Sequence, residues 1–134
     1  MRGIAQQLGL VIEPMYLSRW AGGAGIVDGI PRIWLRDEDP PERQRFTLAH
    51  ELGHILLHHV AVPFRDDTFT GSPKENEANR FAFELLMPLH LLRGAAFRQT
   101  DTAQMAQVFK VPEGMMRQRL EKTEERPRAG ARRR

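Results

Sequence analysis

The rhythm of apolar and polar positions along this 134-residue chain changes once, near Asp39. Over residues 4–36 the apolar positions show no helical period, and the segment reads as strands. Ile26-Val27, Asp28-Gly29 and Ile30–Leu35 have the form of a hairpin, because Asp-Gly suits a type I′ turn. Pro31 lacks an amide proton, so the second strand is expected at a sheet edge or with a late start. An earlier strand is expected around Leu8–Ile12 or Met15–Trp20. Ala21-Gly22-Gly23 reads as a break between strands.

From Asp39 the pattern turns helical. Asp39-Pro40-Pro41-Glu42 offers an N-cap, a proline at the first helical position and a capping-box glutamate. The predicted helix runs to about His59 and stops before Pro63, with Phe46, Ala49, Gly53, Leu57 and Val60 on one stripe. Residues 61–71 read as a loop. Ser72-Pro73-Lys74-Glu75 opens a second helix that ends near Met87, ahead of Pro88. Pro88 starts a third, to about Arg98. Asp101 caps a fourth over 102–109, and Pro112-Glu113 opens a fifth that ends near Lys122. A small sheet followed by helices is an α+β arrangement. The expectation is one domain over residues 1–125, with its sheet at about 8–36 and its helices at about 40–122.

Composition narrows the chemistry. Apolar residues make up 41 % and charged residues 28 %, the balance of a soluble globular protein. Cysteine is absent, which excludes a disulfide framework, thiolate zinc fingers, iron–sulfur clusters and a cysteine nucleophile. No apolar run approaches the roughly 18 residues of a membrane span. Gln6, Gln7, Glu13 and Arg19 interrupt any signal-peptide core, so the chain reads as cytoplasmic. The net charge of +3 belongs to residues 126–134, which carry five arginines. Removing them leaves 15 basic side chains against 17 acidic ones, a balance of −2. This tail reads as a solvated, disordered end, with nucleic-acid contact as the alternative.

His50-Glu51-Leu52-Gly53-His54 is the pattern H-E-x-x-H, set inside the best-capped predicted helix. One helical turn brings His50 and His54 to the same face, where both imidazoles can meet one ion, and two imidazoles suit Zn²⁺. Glu51 stands beside them without ligating, placed to take a proton from a metal-bound water. A catalytic zinc needs a third protein ligand. The next helix offers Glu75, Glu77 and Glu84. Its apolar stripe is centred about 40° from Glu75, about 120° from Glu77 and about 140° from Glu84 at 3.6 residues per turn. Only Glu75 faces inward, so it is the preferred ligand. The alternatives are Glu77, or a Glu75 that only completes the capping box with Ser72. Asn79, four residues on, can hydrogen-bond a ligand histidine. His58 is a candidate for the same supporting role or for an oxyanion donor, against a solvent-facing histidine at a helix end.

Phe46-Thr47-Leu48-Ala49-His50-Glu51-Leu52-Gly53-His54, then Glu75-Asn76-Glu77-Ala78-Asn79-Arg80-Phe81-Ala82, then Leu85-Leu86-Met87-Pro88 closely resemble the ImmA/IrrE family of metallopeptidases. The likeness is dense over residues 46–88 and looser on either side. It implies a zincin-like fold, with zinc held by the two motif histidines and a downstream glutamate that maps to Glu75. It also implies an intracellular regulatory protease acting on a repressor-type or antitoxin-type partner, in transcription regulation or toxin–antitoxin-like pairs. An extended peptide substrate is expected along Ile30–Arg36, at Ile33, Trp34 and Leu35, by strand addition.

Other features have blander readings. Residues 101–120 carry a helix–turn–helix rhythm with Ala106, Val111, Met115 and Leu120 at core positions, and Arg117 and Arg119 could meet phosphates. Two small helices packing on the zincin core, with Met115, Met116 and Phe109 as filler, are the preferred reading. The competing function is a DNA-binding or toxin–antitoxin-like module whose metal site is structural or vestigial.

Overall fold

A computed structural model describes residues 2–57, 64–66, 72–98 and 101–123. The element order is α1 (Arg2–Gln7), β1 (Val11–Met15), β2 (Gly22–Val27), β3 (Ile30–Arg36), α2 (Pro41–Leu56), β4 (Phe64–Asp66), α3 (Pro73–Leu86), α4 (Leu89–Arg98), α5 (Thr102–Phe109) and α6 (Glu113–Thr123). The small sheet precedes most of the helices, as the α+β reading expects. The chain forms two compact units, Met1–Ala82 and Phe83–Arg134. Among the described residues, no helix is long and apolar enough to cross a membrane.

In the first unit the strand order is β1-β3-β2-β4. β2 and β3 form the expected hairpin, and Asp28 and Gly29 both take the left-handed conformation that a type I′ turn requires, at φ 52° and 76°. β1 pairs parallel with the far side of β3, from Val11 opposite Arg32 to Met15 opposite Arg36. This corrects the placement of Ile33, Trp34 and Leu35 on an edge strand: β3 lies inside the sheet. Pro31 does not prevent this, because the ladder to β1 begins one residue later, at Arg32. Ile33 and Leu35 point into the core, while Trp34 on the opposite face is half-buried.

Three further expectations are revised. Residues 2–7 form a short helix rather than a strand. Gly22 and Gly23 do not break the chain but lie within β2, buried. A Cβ on Gly22 would stand 2.5 Å from Thr47 Cγ2 and 2.9 Å from the Trp34 carbonyl oxygen, so the glycine lets α2 lie directly on the sheet. β4 occupies part of the expected 61–71 loop and pairs antiparallel with β2.

The N-cap of α2 is Pro40, in extended conformation, not Asp39. A residue that precedes proline is held extended, and the Asp39 carboxylate instead accepts from Arg36 Nε at 2.9 Å. Nine consecutive residues of α2, Phe46 to His54, are buried. A helix enclosed on all sides must carry its polar groups for a reason other than solvation. Leu57, expected on the apolar stripe, is 43 % exposed, and Val60 lies outside the described residues. On α3, Ser72 Oγ accepts from the Glu75 amide at 3.2 Å, as its capping motif predicts.

In the second unit, Asp101 caps α5 by accepting from the Gln104 amide at 2.8 Å. Ala106, Val111, Met115 and Leu120 are all buried, as expected of packed helices. Arg119 is buried too. Its Nε and Nη2 donate to the Met87 carbonyl at 3.1 and 2.9 Å, satisfying an orphan acceptor just past the end of α3. Burial pulls its guanidinium below the ordinary pKa, and the nearby Glu84 carboxylate opposes the shift. The arginine tail lies outside the described residues.

Candidate metal centre

Residues of α2 and α3 that lie in the first unit build the site. His50 and His54 occur one turn apart on α2, with ring centroids 4.8 Å apart and planes at 87°. Both are buried, at 0 % and 1 % exposure. α3 lies close against α2 because Gly53 offers no side chain: a Cβ there would stand 3.1 Å from Phe81 Cδ1 and 3.3 Å from Ala78 Cα. That close approach carries Glu75 to the histidines. Its Oε1 lies 2.9 Å from His50 Nε2 and its Oε2 lies 3.1 Å from His54 Nε2. Glu75 is 8 % exposed, whereas Glu77 and Glu84 are exposed. The helix face predicted for Glu75 is the face it occupies. It also keeps its place in the capping motif through its own backbone amide.

Asn79 is one turn further along α3. Its Oδ1 lies 2.8 Å from His50 Nδ1. With the Nδ1 proton given to that amide oxygen, a neutral His50 turns the lone pair of Nε2 toward the Glu75 carboxylate. Two lone pairs at 2.9 Å repel unless a proton or a metal cation lies between them. All three ligand atoms lie within 4.8 Å of one another. Two imidazoles and one carboxylate, buried and converging, make a donor set suited to a divalent ion with one coordination position left over. The donors therefore fit a metal on their chemistry and their spacing.

Glu51 is fully buried on α2 next to these ligands. His58 lies outside the described residues, so its supporting role stays an expectation. His90 is exposed. Gly22 leaves room for the side chains of both Thr47 and Glu51, a role that its residue type did not announce. The one trace in the sequence is a strand made of Gly-Gly-Ala-Gly, which admits a helix at close range.

A family model described as the IrrE N-terminal-like domain, a peptidase family, matches residues 5–121. The chain belongs to this family. The match takes in both α2 and α3 and therefore every residue of the candidate metal centre. No curated protein matches the chain significantly. The likeness read from residues 46–88 thus extends over most of the sequence. In this IrrE N-terminal-like domain His50, His54 and Glu75 form a candidate metal site.

The contact between Asn79 and His50 can be tested by metal affinity. Outer hydrogen-bond partners of ligand histidines typically contribute 10–100-fold to metal affinity. Asn79→Ala should therefore weaken divalent-metal binding at this site about 10–100-fold without changing the number of ions bound, as read by competition with a chromogenic chelator. An unchanged affinity would mean that His50 is oriented by packing alone.

Proposed function

We propose that this chain is a zinc-dependent endopeptidase that hydrolyses a peptide bond in a specific intracellular protein, with a repressor-type regulator as the substrate class. The observation that carries the reading is the convergence of His50, His54 and Glu75 beside the buried carboxylate of Glu51. His50 Nε2, His54 Nε2 and a Glu75 carboxylate oxygen would hold the ion. Zinc supplies Lewis acidity at the scissile carbonyl and brings the pKa of water down to about 7.

The protein's own groups do the rest. Glu51 accepts a proton from the attacking water as the water oxygen bonds to the carbonyl carbon. It then delivers that proton to the departing nitrogen as the C–N bond breaks. Burial keeps bulk water from competing for this proton. Asn79 fixes the ring of His50 so that Nε2, not Nδ1, is offered to the ion.

With β3 inside the sheet, an added peptide strand needs another edge. The Met15 carbonyl accepts from Asp37 at 2.8 Å, which turns Met15 toward the β3 side and Ile12 and Pro14 outward. Pro14 has no amide proton, so the outer row of β1 is interrupted. Among the described strands, β4 is the edge better suited to a substrate.

The DNA-binding reading has less support. Arg119 is committed to the Met87 carbonyl, and Arg117 pairs with Glu113 at 3.2 Å. For the peptidase reading, a cell lysate treated with the zinc-loaded chain should gain new N-termini in one or a few proteins, as read by mass spectrometry. A chelator should abolish them and added zinc restore them. New termini that persist unchanged under chelation would contradict a metal-dependent reaction.

A further inference from the structure

We infer that Thr47 is a positioning residue for Glu51, its hydroxyl being the donor that holds the Glu51 carboxylate during the reaction. The inference rests on the peptidase reading and deepens it. Thr47 is 1 % exposed, and its Oγ1 has no hydrogen-bond partner among the described residues. Leaving a buried hydroxyl unbonded is costly. A threonine in mid-helix ordinarily spends its hydroxyl on the carbonyl four residues back, which here is that of Arg43, and Thr47 does not.

Packing fixes where the hydroxyl is. The Thr47 methyl is seated in the space that Gly22 leaves, with Cγ2 2.5 Å from the point a Cβ on Gly22 would occupy. A β-branched side chain is stiff about χ1, so a seated methyl also sets the direction of the oxygen. Glu51 follows Thr47 by one turn of α2 and uses the same seat: its Cγ stands 3.5 Å from that point on β2. The stems of the two side chains therefore rest side by side on the sheet, as neighbours at i and i+4. An ionised carboxylate only accepts hydrogen bonds, and the hydroxyl is a donor on the same helical face. Valine would fill this space equally well. Nothing in the packing calls for an oxygen. Thr47 Oγ1 bonds no described group in this structure, the Glu51 carboxylate included, so the bond assigned here belongs to the metal-loaded, reacting site.

Three arms test this, using the full chain with zinc bound and the variants Thr47→Val and Thr47→Ser. In a crystal structure of the zinc-loaded protein, Thr47 Oγ1 should lie about 2.6–3.0 Å from a Glu51 carboxylate oxygen. A Thr47 hydroxyl bonded to the Arg43 carbonyl instead would overturn the inference. In urea, metal-free Thr47→Val should unfold at the wild-type midpoint or above it, because no structural hydrogen bond is lost. A clear fall in the midpoint would show that the hydroxyl serves the fold, and would sink the idea. On a peptide spanning the cleavage site found in the lysate, Thr47→Val should lose about tenfold or more in kcat at unchanged KM and zinc content, while Thr47→Ser stays near wild type. Wild-type kcat in Thr47→Val refutes the positioning role and leaves the peptidase reading standing. A wild-type chain that cuts nothing removes the peptidase reading, and this inference with it.

Discussion

Glu51→Gln should bind zinc as the wild type does and lose peptide cleavage by about 10²–10⁴-fold, the usual contribution of a positioned general base. Glutamine has nearly the volume of glutamate, so the nine-residue buried stretch of α2 stays filled. Its amide cannot take a proton from water, which is the one property this variant removes. Glu51 is not among the three residues whose ligand atoms converge, so the metal should be undisturbed. The check is a paired measurement on one preparation: zinc content by elemental analysis, and cleavage by mass spectrometry of fragments. Full cleavage in the variant would remove Glu51 from the chemistry. Loss of zinc together with activity would make Glu51 part of the metal site instead.

Glu75→Ala should abolish tight zinc binding, whereas Glu77→Ala should bind as the wild type does. The two residues are two positions apart on α3, yet one is 8 % exposed against two imidazoles and the other faces solvent. Removing a ligand should cost more than the roughly 10–100-fold that a supporting partner costs. The effect should also appear in stability. A ligand present at about 100 times its Kd stabilises the folded state by about 2.7 kcal/mol. Zinc should therefore raise the melting temperature of the wild type and of Glu77→Ala but not of Glu75→Ala. The reverse order of the two variants would overturn the choice made by helix face.

Much of this site was legible in the sequence because it rests on local rules. A turn of helix brings His50 and His54 together whatever surrounds it. The inward face of α3 follows from the period of Ala78, Ala82 and Leu86, and it selects Glu75 over Glu77. Ser72 and Asp101 act through bonds to amides three residues away, so their motifs predict them. The Asp28-Gly29 turn is equally local.

The misses are long-range in origin. β3 looks like an edge strand until β1, about 20 residues earlier in the chain, pairs parallel along its far side. Such pairing leaves no trace in the hairpin itself. Gly22 and Gly23 resemble a break because glycine weakens strands in isolation. Their role depends on Thr47 and on the Trp34 carbonyl, contacts that exist only once α2 lies on the sheet. Asp39 has the right residue type for a cap, but the prolines after it shift the start of α2 and free its carboxylate for Arg36. α1 and β4 are too short to carry a readable period.

The most direct test is X-ray absorption at the zinc edge on the purified chain loaded with one equivalent of metal. Two imidazole nitrogens and carboxylate oxygen at about 2.0–2.2 Å, with one further light-atom ligand, is the predicted shell. It should lose an imidazole in His54→Ala and its protein oxygen in Glu75→Ala. A chain that takes up no stoichiometric zinc, or one whose shell is unaltered by both substitutions, would contradict the account at its centre.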